Sequence, residues 1–289
     1  MQENGIFKLR KCRFRFIIGN SVYKDSYACV AYVKKSKRKK MRIVMLKVEH
    51  LSYDVTEEGK TQSILKDVNF HVNDGEMLVI TGPNGGGKST IAKLLMGIYP
   101  ATKGKILLDG QDLSNMSIDQ RANAGIGFAF QQPPRFKGMT VERLLNLAAG
   151  EPLAGKRCCE LLSNVGLCAQ EYIHREIDAT LSGGEMKRIE IASVLAKKHK
   201  ICIFDEPEAG IDLWSFQNLI QVFEKMHEKM NGSILIISHQ ERILKTADEI
   251  LVVADGKVAG YGERDEILPS LLGGENSTSG CKYWQKEEN

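Results

Sequence analysis

The chain has 289 residues, 43% of them hydrophobic, with a formal net charge of +4, which is enough apolar content to close the core of one large α/β domain without covalent staples. Its seven cysteines are odd in number and include no C-x-x-C pair, which argues against a disulfide framework and a zinc site and for a reducing cytoplasm. No apolar run reaches the ~20 residues of a membrane helix, so direct insertion into a bilayer is not expected.

The small net charge hides an asymmetry. Residues 1–40 hold twelve Lys and Arg against two acids, net +10, while residues 41–289 hold 28 against 34, net −6. An acidic body argues against a broad nucleic-acid footprint, because such binders concentrate positive charge where phosphates lie, and no nucleic-acid partner is expected. The arm 1–44 includes the run Lys34-Lys35-Ser36-Lys37-Arg38-Lys39-Lys40. It reads as upstream sequence translated ahead of a start at Met41 or Met45, or as a solvated disordered tail; a nucleic-acid or anionic-lipid arm is the third reading.

From Leu46 the pattern predicts a strand over 46–51, a polar turn at Glu57-Glu58-Gly59-Lys60, a strand over 63–72 and a buried strand over 77–81. A helix over 88–97 follows, with Ile91, Leu94, Leu95 and Ile98 on one face. Between strand and helix lies Gly82-Pro83-Asn84-Gly85-Gly86-Gly87-Lys88-Ser89-Thr90, which fits G-x-x-x-x-G-K-[ST]. Glycines let such a loop fold tightly and aim successive N–H groups at phosphate oxygens, and the helix adds the positive end of its dipole. A glycine-rich turn on a core strand is the bland alternative; the flanking strand and helix favour a nucleoside triphosphate site, with Lys88 reaching the β and γ phosphates and Ser89 holding magnesium.

Strands are predicted at 104–108 and 127–130. Residues 133–180 then change character, with Pro133-Pro134, helices over 140–149 and 154–165, Gly166 as a stop, and no strong strand. Together with the helix that opens at Gly183 this is a small helical subdomain, about 133–198. Adjacent Cys158 and Cys159, with Cys168 nearby, make no metal site, because neighbours on a helix point about 100° apart. The α/β pattern resumes with a strand over 201–205, a helix over 213–230, a strand over 233–238, a helix over 240–246, and strands over 249–254 and 257–260 across an Asp255-Gly256 turn. Residues 273–289 read as a flexible tail. Alternating strands and helices imply a mostly parallel sheet covered on both faces, preceded by an antiparallel β unit.

Two further constellations carry chemistry. Ile201-Cys202-Ile203-Phe204-Asp205-Glu206 is a buried strand that delivers two carboxylates to the sheet edge where ligands bind. Asp205 is placed to orient magnesium through water, and Glu206 to polarise the attacking water; without the upstream loop the pair would read as a solvated strand end. In Leu181-Ser182-Gly183-Gly184-Glu185, Ser182 and Glu185 form a capping box. A capping box does not require two glycines, which cost about 1 kcal/mol each in a helix interior but leave bare N–H groups at a helix start, a second phosphate grip.

The set Gly82 to Thr90, Gln131, Leu181 to Glu185, Asp205-Glu206, Asp212 and His239 resembles an ATP-binding-cassette (ABC) ATPase domain of P-loop NTPase fold over roughly residues 45–272. Within that superfamily it is similar to SufC, the ATPase subunit of the Suf iron–sulfur cluster assembly machinery. The cues are Glu185 to Ile191, Phe128-Ala129-Phe130-Gln131 with its following prolines, and Gln240-Glu241-Arg242-Ile243-Leu244. The resemblance implies an ATP-dependent homodimer, head to tail, with each ATP and its magnesium held between the Lys88 loop of one copy and the Ser182-Gly183-Gly184 helix start of the other. It further implies that Tyr53 stacks on adenine, that Gln131 touches magnesium and the water, that His239 contacts the γ-phosphate, and that Asp212 lies in the segment crossing the dimer interface. The implied partner is a SufB- or SufD-like scaffold, with transmembrane permease subunits as the alternative. Ala209, Gly86, Gln132-Pro133 and Gln240 depart from the pattern.

Overall fold

The computed structural model describes residues 43–57, 59–229 and 232–273; the readings of the basic arm and of the terminal tail concern residues that lie almost wholly outside these. Its centre is a six-stranded sheet of order β12-β11-β3-β10-β9-β6, formed by β3 (Met77–Thr81), β6 (Ile126–Ala129), β9 (Ile201–Asp205), β10 (Ser233–Ile237), β11 (Glu249–Ala254) and β12 (Lys257–Glu263). The pairs from β11 to β6 are parallel and β12 closes the edge antiparallel. Every residue of β3, β9 and β10 is buried, as a parallel sheet covered on both faces requires.

Because side chains alternate across a strand, one apolar run feeds two cores. Met77, Val79, Cys202, Phe204, Ile234 and Ile236 face one cluster. Their neighbours Leu78, Ile80, Ile201, Ile203, Leu235 and Ile237 face the other. The second cluster is closed by α1 (Lys88–Met96), through Ile91, Leu94 and Leu95, and by an antiparallel sheet of order β2-β1-β4-β5. That sheet comprises β1 (Val44–Glu57), β2 (Lys60–Asn73), β4 (Lys103–Leu108) and β5 (Gln111–Asp112). The first cluster is closed by α3 (Val141–Ala149), α4 (Gly155–Asn164), α6 (Gly183–Ala196) and α7 (Leu213–Lys229), through Val141, Leu145, Leu162, Ile189 and Phe223. The expected α/β class, with an antiparallel β unit and a helical unit flanking a mostly parallel sheet, is the one observed.

Several short elements depart from the sequence reading. Within 133–180, β7 (Phe136–Thr140) pairs with β8 (Glu176–Ile177) through Phe136↔Ile177 and Thr140↔Glu176; the two residues of β8 are too few for an alternation signal. Helix α2 (Ile118–Ala124) is a short one opened by a Ser117–Gln120 capping box. Its buried Arg121 donates to Leu94 O at 2.6 Å and Leu95 O at 3.0 Å, which satisfies carbonyls at the end of α1. Helix α9 (Arg264–Leu271) buries only Ile267, too little for a periodic stripe. The short α5 (Ala169–Tyr172) and α8 (Glu241–Leu244) complete the set among the described residues.

Candidate nucleotide-binding site

The parallel strands end on one edge of the sheet, so the chain leaves β3 at Gly82, β6 at Phe130, β9 at Glu206 and β10 at Ser238 side by side. The first connection is the glycine loop. Gly82 adopts φ 139°, and a Cβ there would lie 2.0 Å from Val253 O on β11, so any side chain is excluded by backbone as well as by conformation. Gly87, at φ 103°, caps α1 and turns the loop into the helix. Gly256 of the β11–β12 turn donates its N–H to Gly86 O at 3.2 Å, which braces the loop from outside.

Lys88 is buried, its ammonium donating to Gly82 O and Pro83 O, each at 2.9 Å. Burial lowers its pKa, and the charges of Glu206 and Asp205 oppose that shift. A cation held over its own loop by two carbonyls is a ready anchor for phosphate oxygens. Ser89 Oγ donates to Asp205 Oδ1 at 3.0 Å. Asp205 is buried at the tip of β9, and burial raises its pKa against the Ser89 hydrogen bond, with Glu206 raising it further. A hydroxyl and a carboxylate in contact are a hard-oxygen donor set of the kind that suits Mg²⁺, which takes one or two protein oxygens plus phosphates.

Glu206 stands half-buried one residue beyond Asp205 with φ 44°, a left-handed conformation that costs a non-glycine residue on the order of 1 kcal/mol or more. Its N–H is held by Ile237 O at 3.0 Å, and its Oε2 accepts from Gln131 Nε2 at 2.5 Å. Gln131 is exposed, at the exit of β6. His239 is exposed just past β10.

Sequence reasoning passed over the link between these loops. Ser238 donates to Glu208 Oε1 at 2.5 Å and accepts from Gln240 N at 3.0 Å. Burial raises the Glu208 pKa, opposed first by Ser238 and then by His239. The only available signal was a third acid two places after Glu206, which alone does not distinguish a strut from a solvated loop.

The structure therefore brings Lys88, Ser89, Asp205, Glu206 and Gln131 into one connected group. Tyr53 and the segment Leu181 to Glu185 lie apart from this group. Tyr53, on β1, stacks against Tyr99 with ring centroids 5.3 Å apart and planes 3° apart, so one of its faces is taken. Leu181 is buried, whereas Ser182 and Gly183 are exposed at the start of α6. The capping box is observed: Ser182 N donates to Glu185 Oε2 at 2.7 Å, and Ser182 Oγ accepts from Glu185 N at 3.3 Å. Glu185 is also bonded by the Tyr172 hydroxyl and lies 3.6 Å from Arg175. The Tyr172 bond leads in holding its carboxyl down at about 2. Its charge is thus committed to building the helix start. A Cβ on Gly183 would lie 3.6 Å from Gly210 O, so the segment leading to Asp212 runs beside this helix start.

A strand, a glycine loop with a buried lysine, a helix, and a neighbouring strand ending in an acid bonded to the loop serine define a P-loop NTPase. Residues 65–209 match the ABC transporter family. The chain is 39% identical over 233 residues to an uncharacterised ABC transporter ATP-binding protein of Methanocaldococcus jannaschii, covering 78% of this chain and 91% of that one. It is 35% identical over 233 residues to the energy-coupling factor transporter ATP-binding protein EcfA1 of Streptococcus thermophilus, covering 78% and 82%. Among solved structures it resembles cbiO1 of Clostridium perfringens, part of the ABC transporter complex cbiONQ, with TM-score 0.66, 28% identity and coverage of 78% and 91%. A dimeric ATP-binding cassette bound to ADP and Pi shares the fold at TM-score 0.70 and 24% identity, covering 76% and 99%. The chain belongs to the ABC transporter family of ATP-binding proteins and is an ABC ATPase. Among the described residues no helix is long and apolar enough to cross a membrane.

Proposed function

We propose that this chain is the ATP-hydrolysing subunit of a membrane transporter, driving permease subunits through ATP-dependent pairing of two copies. The observation that carries the hydrolytic reading is the contact of Gln131 with Glu206 beside the Ser89–Asp205 pair, because it joins a water-polarising carboxylate to a phosphate cradle. In this reading the loop Gly82, Pro83, Asn84, Gly85, Gly86, Gly87, Lys88, Ser89 and Thr90 wraps the triphosphate, and the second ring face of Tyr53 meets adenine. Glu206 takes the proton of the attacking water and His239 meets the γ-phosphate. Ser89, Gln131 and Asp205 would hold Mg²⁺, which when bound neutralises charge on the β and γ oxygens.

Two copies are needed because Ser182 and Gly183 offer their bare helix start outward; facing a second copy, that start closes over its nucleotide, with Asp212 at the seam. Loss of the γ-phosphate then releases the pair. Trapping with ATP tests this: a Ser182→Arg variant that still binds nucleotide and still pairs would overturn the head-to-tail arrangement.

The permease reading rests on the relatives, named for transport. The Suf-type scaffold expected from the sequence has no counterpart among those names. It stays as the second reading because of the run from Glu185 to Ile191, and because the relative of highest quoted identity is itself uncharacterised. Purification of the native complex decides between them. A polytopic membrane protein in fixed ratio supports the first, and a water-soluble partner carrying an iron–sulfur cluster replaces it with the second.

A further inference from the structure

Two charged side chains on α6 are shut inside the protein although neither belongs to the glycine-rich helix start. Lys187 has no exposed surface and Glu190 is 8% exposed, and they face each other at 3.1 Å. Buried ion pairs of this kind contribute little net stability compared with apolar side chains of the same volume, so their retention asks for another reason. Their second contacts supply one. Glu190 Oε1 accepts from Phe130 N at 2.7 Å, and Lys187 Nζ donates to Phe130 O. The pair thus holds both the N–H and the C=O of one residue, and that residue is the one before Gln131.

The Phe130 carbonyl belongs to the peptide that leads into Gln131, and its N–H to the peptide before it. Gripping both groups fixes φ and ψ of Phe130, and hence the direction in which the exposed Gln131 leaves the sheet. Gln131 in turn bonds Glu206 at 2.5 Å. The chain of contacts runs from the Ser182 start of α6, along about two helical turns, through Lys187 and Glu190 to Phe130, Gln131 and Glu206. Burial raises the Glu190 pKa, and Lys187 and Phe130 N only partly offset that rise. The aromatic ring of Phe130 packs edge-on against Phe128 with centroids 4.7 Å apart, which limits where the peptide can move if the clasp opens.

We infer that Lys187 and Glu190 form a backbone clasp on Phe130 that positions Gln131 against Glu206, so that the helix carrying the second phosphate grip sets the alignment of the hydrolytic site of its own copy. They are positioning residues; neither touches substrate. The inference rests on the proposed role of Gln131.

The test is a double-mutant cycle on the full chain. Removing one member alone strands a buried charge and can prevent folding, so the clasp is opened by the neutral pair Lys187→Met with Glu190→Gln, in which the glutamine oxygen still accepts from Phe130 N while the donor to Phe130 O is gone. Gln131→Ala is made alone and in combination, and kcat, KM for ATP, the magnesium concentration giving half-maximal rate and the melting temperature are measured. The neutral pair is expected to lower kcat by roughly ten- to a hundredfold, the upper figure being what a misplacement near 1 Å costs, and to raise the magnesium requirement, with KM and melting temperature nearly unchanged. In the Gln131→Ala background it is expected to lower kcat no further. Equal losses in both backgrounds, or a kcat that falls only as the folded fraction falls, would overturn the clasp as a positioning device. Unchanged turnover in Gln131→Ala alone would remove the role of Gln131, and the inference with it. Normal turnover in the neutral pair alongside an impaired Gln131→Ala would sink the clasp and leave the role of Gln131 standing.

Discussion

Gln131 Nε2 donates to Glu206 Oε2 at 2.5 Å, binding the exit of one parallel strand to the exit of its neighbour at the edge of the sheet. The acid so held lies in a left-handed conformation at φ 44°, which costs a residue other than glycine on the order of 1 kcal/mol or more.

Glu206→Gln keeps an oxygen acceptor for Gln131 but cannot take a proton. Hydrolysis is expected to fall by about 10²–10⁴-fold, with ATP binding retained and the paired form accumulating. Steady-state turnover together with gel filtration in ATP checks this. Unchanged turnover would remove Glu206 as the base.

Lys88→Ala deletes the buried cation that Gly82 O and Pro83 O hold at 2.9 Å. Charge-assisted hydrogen bonds contribute about 1.5–3 kcal/mol, so ATP affinity is expected to drop by roughly ten- to a hundredfold. Titration with a fluorescent ATP analogue measures the loss. The rise in melting temperature that nucleotide gives the parent chain should shrink in parallel.

Gly82→Ala places a methyl 2.0 Å from Val253 O at a backbone φ of 139°. Neither partner is a flexible side-chain end, so the loop or β11 has to shift. A destabilisation of at least about 2 kcal/mol is expected, read by urea unfolding, with ATP affinity falling as the loop moves.

Glu76 tests the fold away from the nucleotide. Burial raises its pKa from 4.5 to about 7, with the nearby Glu249 adding to the shift, although Asn73 N donates to its Oε2 at 2.6 Å and opposes it. The folded chain therefore holds a proton that the unfolded chain releases. That stabilisation is complete below about pH 4.5 and is lost as pH rises through about 7. Glu76→Gln keeps the acceptor for Asn73 without the charge. It is expected to be more stable than the parent by on the order of 1–3 kcal/mol at pH 8, with the gap closing towards pH 5. Thermal melts across that range that stay parallel would refute the assignment.

Much of the architecture was legible from local pattern. The buried strands 77–81, 201–205 and 233–238 stood out because a parallel strand covered on both faces is apolar at every position. The helix from Gly183 carried a capping box that the structure reproduces. By contrast α2, α9 and the β7–β8 pair escaped notice, since they are short, β8 having only two residues, and their stability comes from distant partners such as the Arg121 bonds to α1.

By itself the sequence determined the phosphate loop, the paired acids at the end of a core strand and the capped glycine helix start, because each is written in contiguous residues whose chemistry depends on spacing along the chain. Only the tertiary structure decided which groups meet: Ser89 with Asp205, Gln131 with Glu206, Ser238 with Glu208, and a buried Lys187–Glu190 pair with the backbone of Phe130. These partners stand 30 or more residues apart, and what joins them is the order of strands in the sheet, a property that hydrophobic periodicity along one segment does not encode.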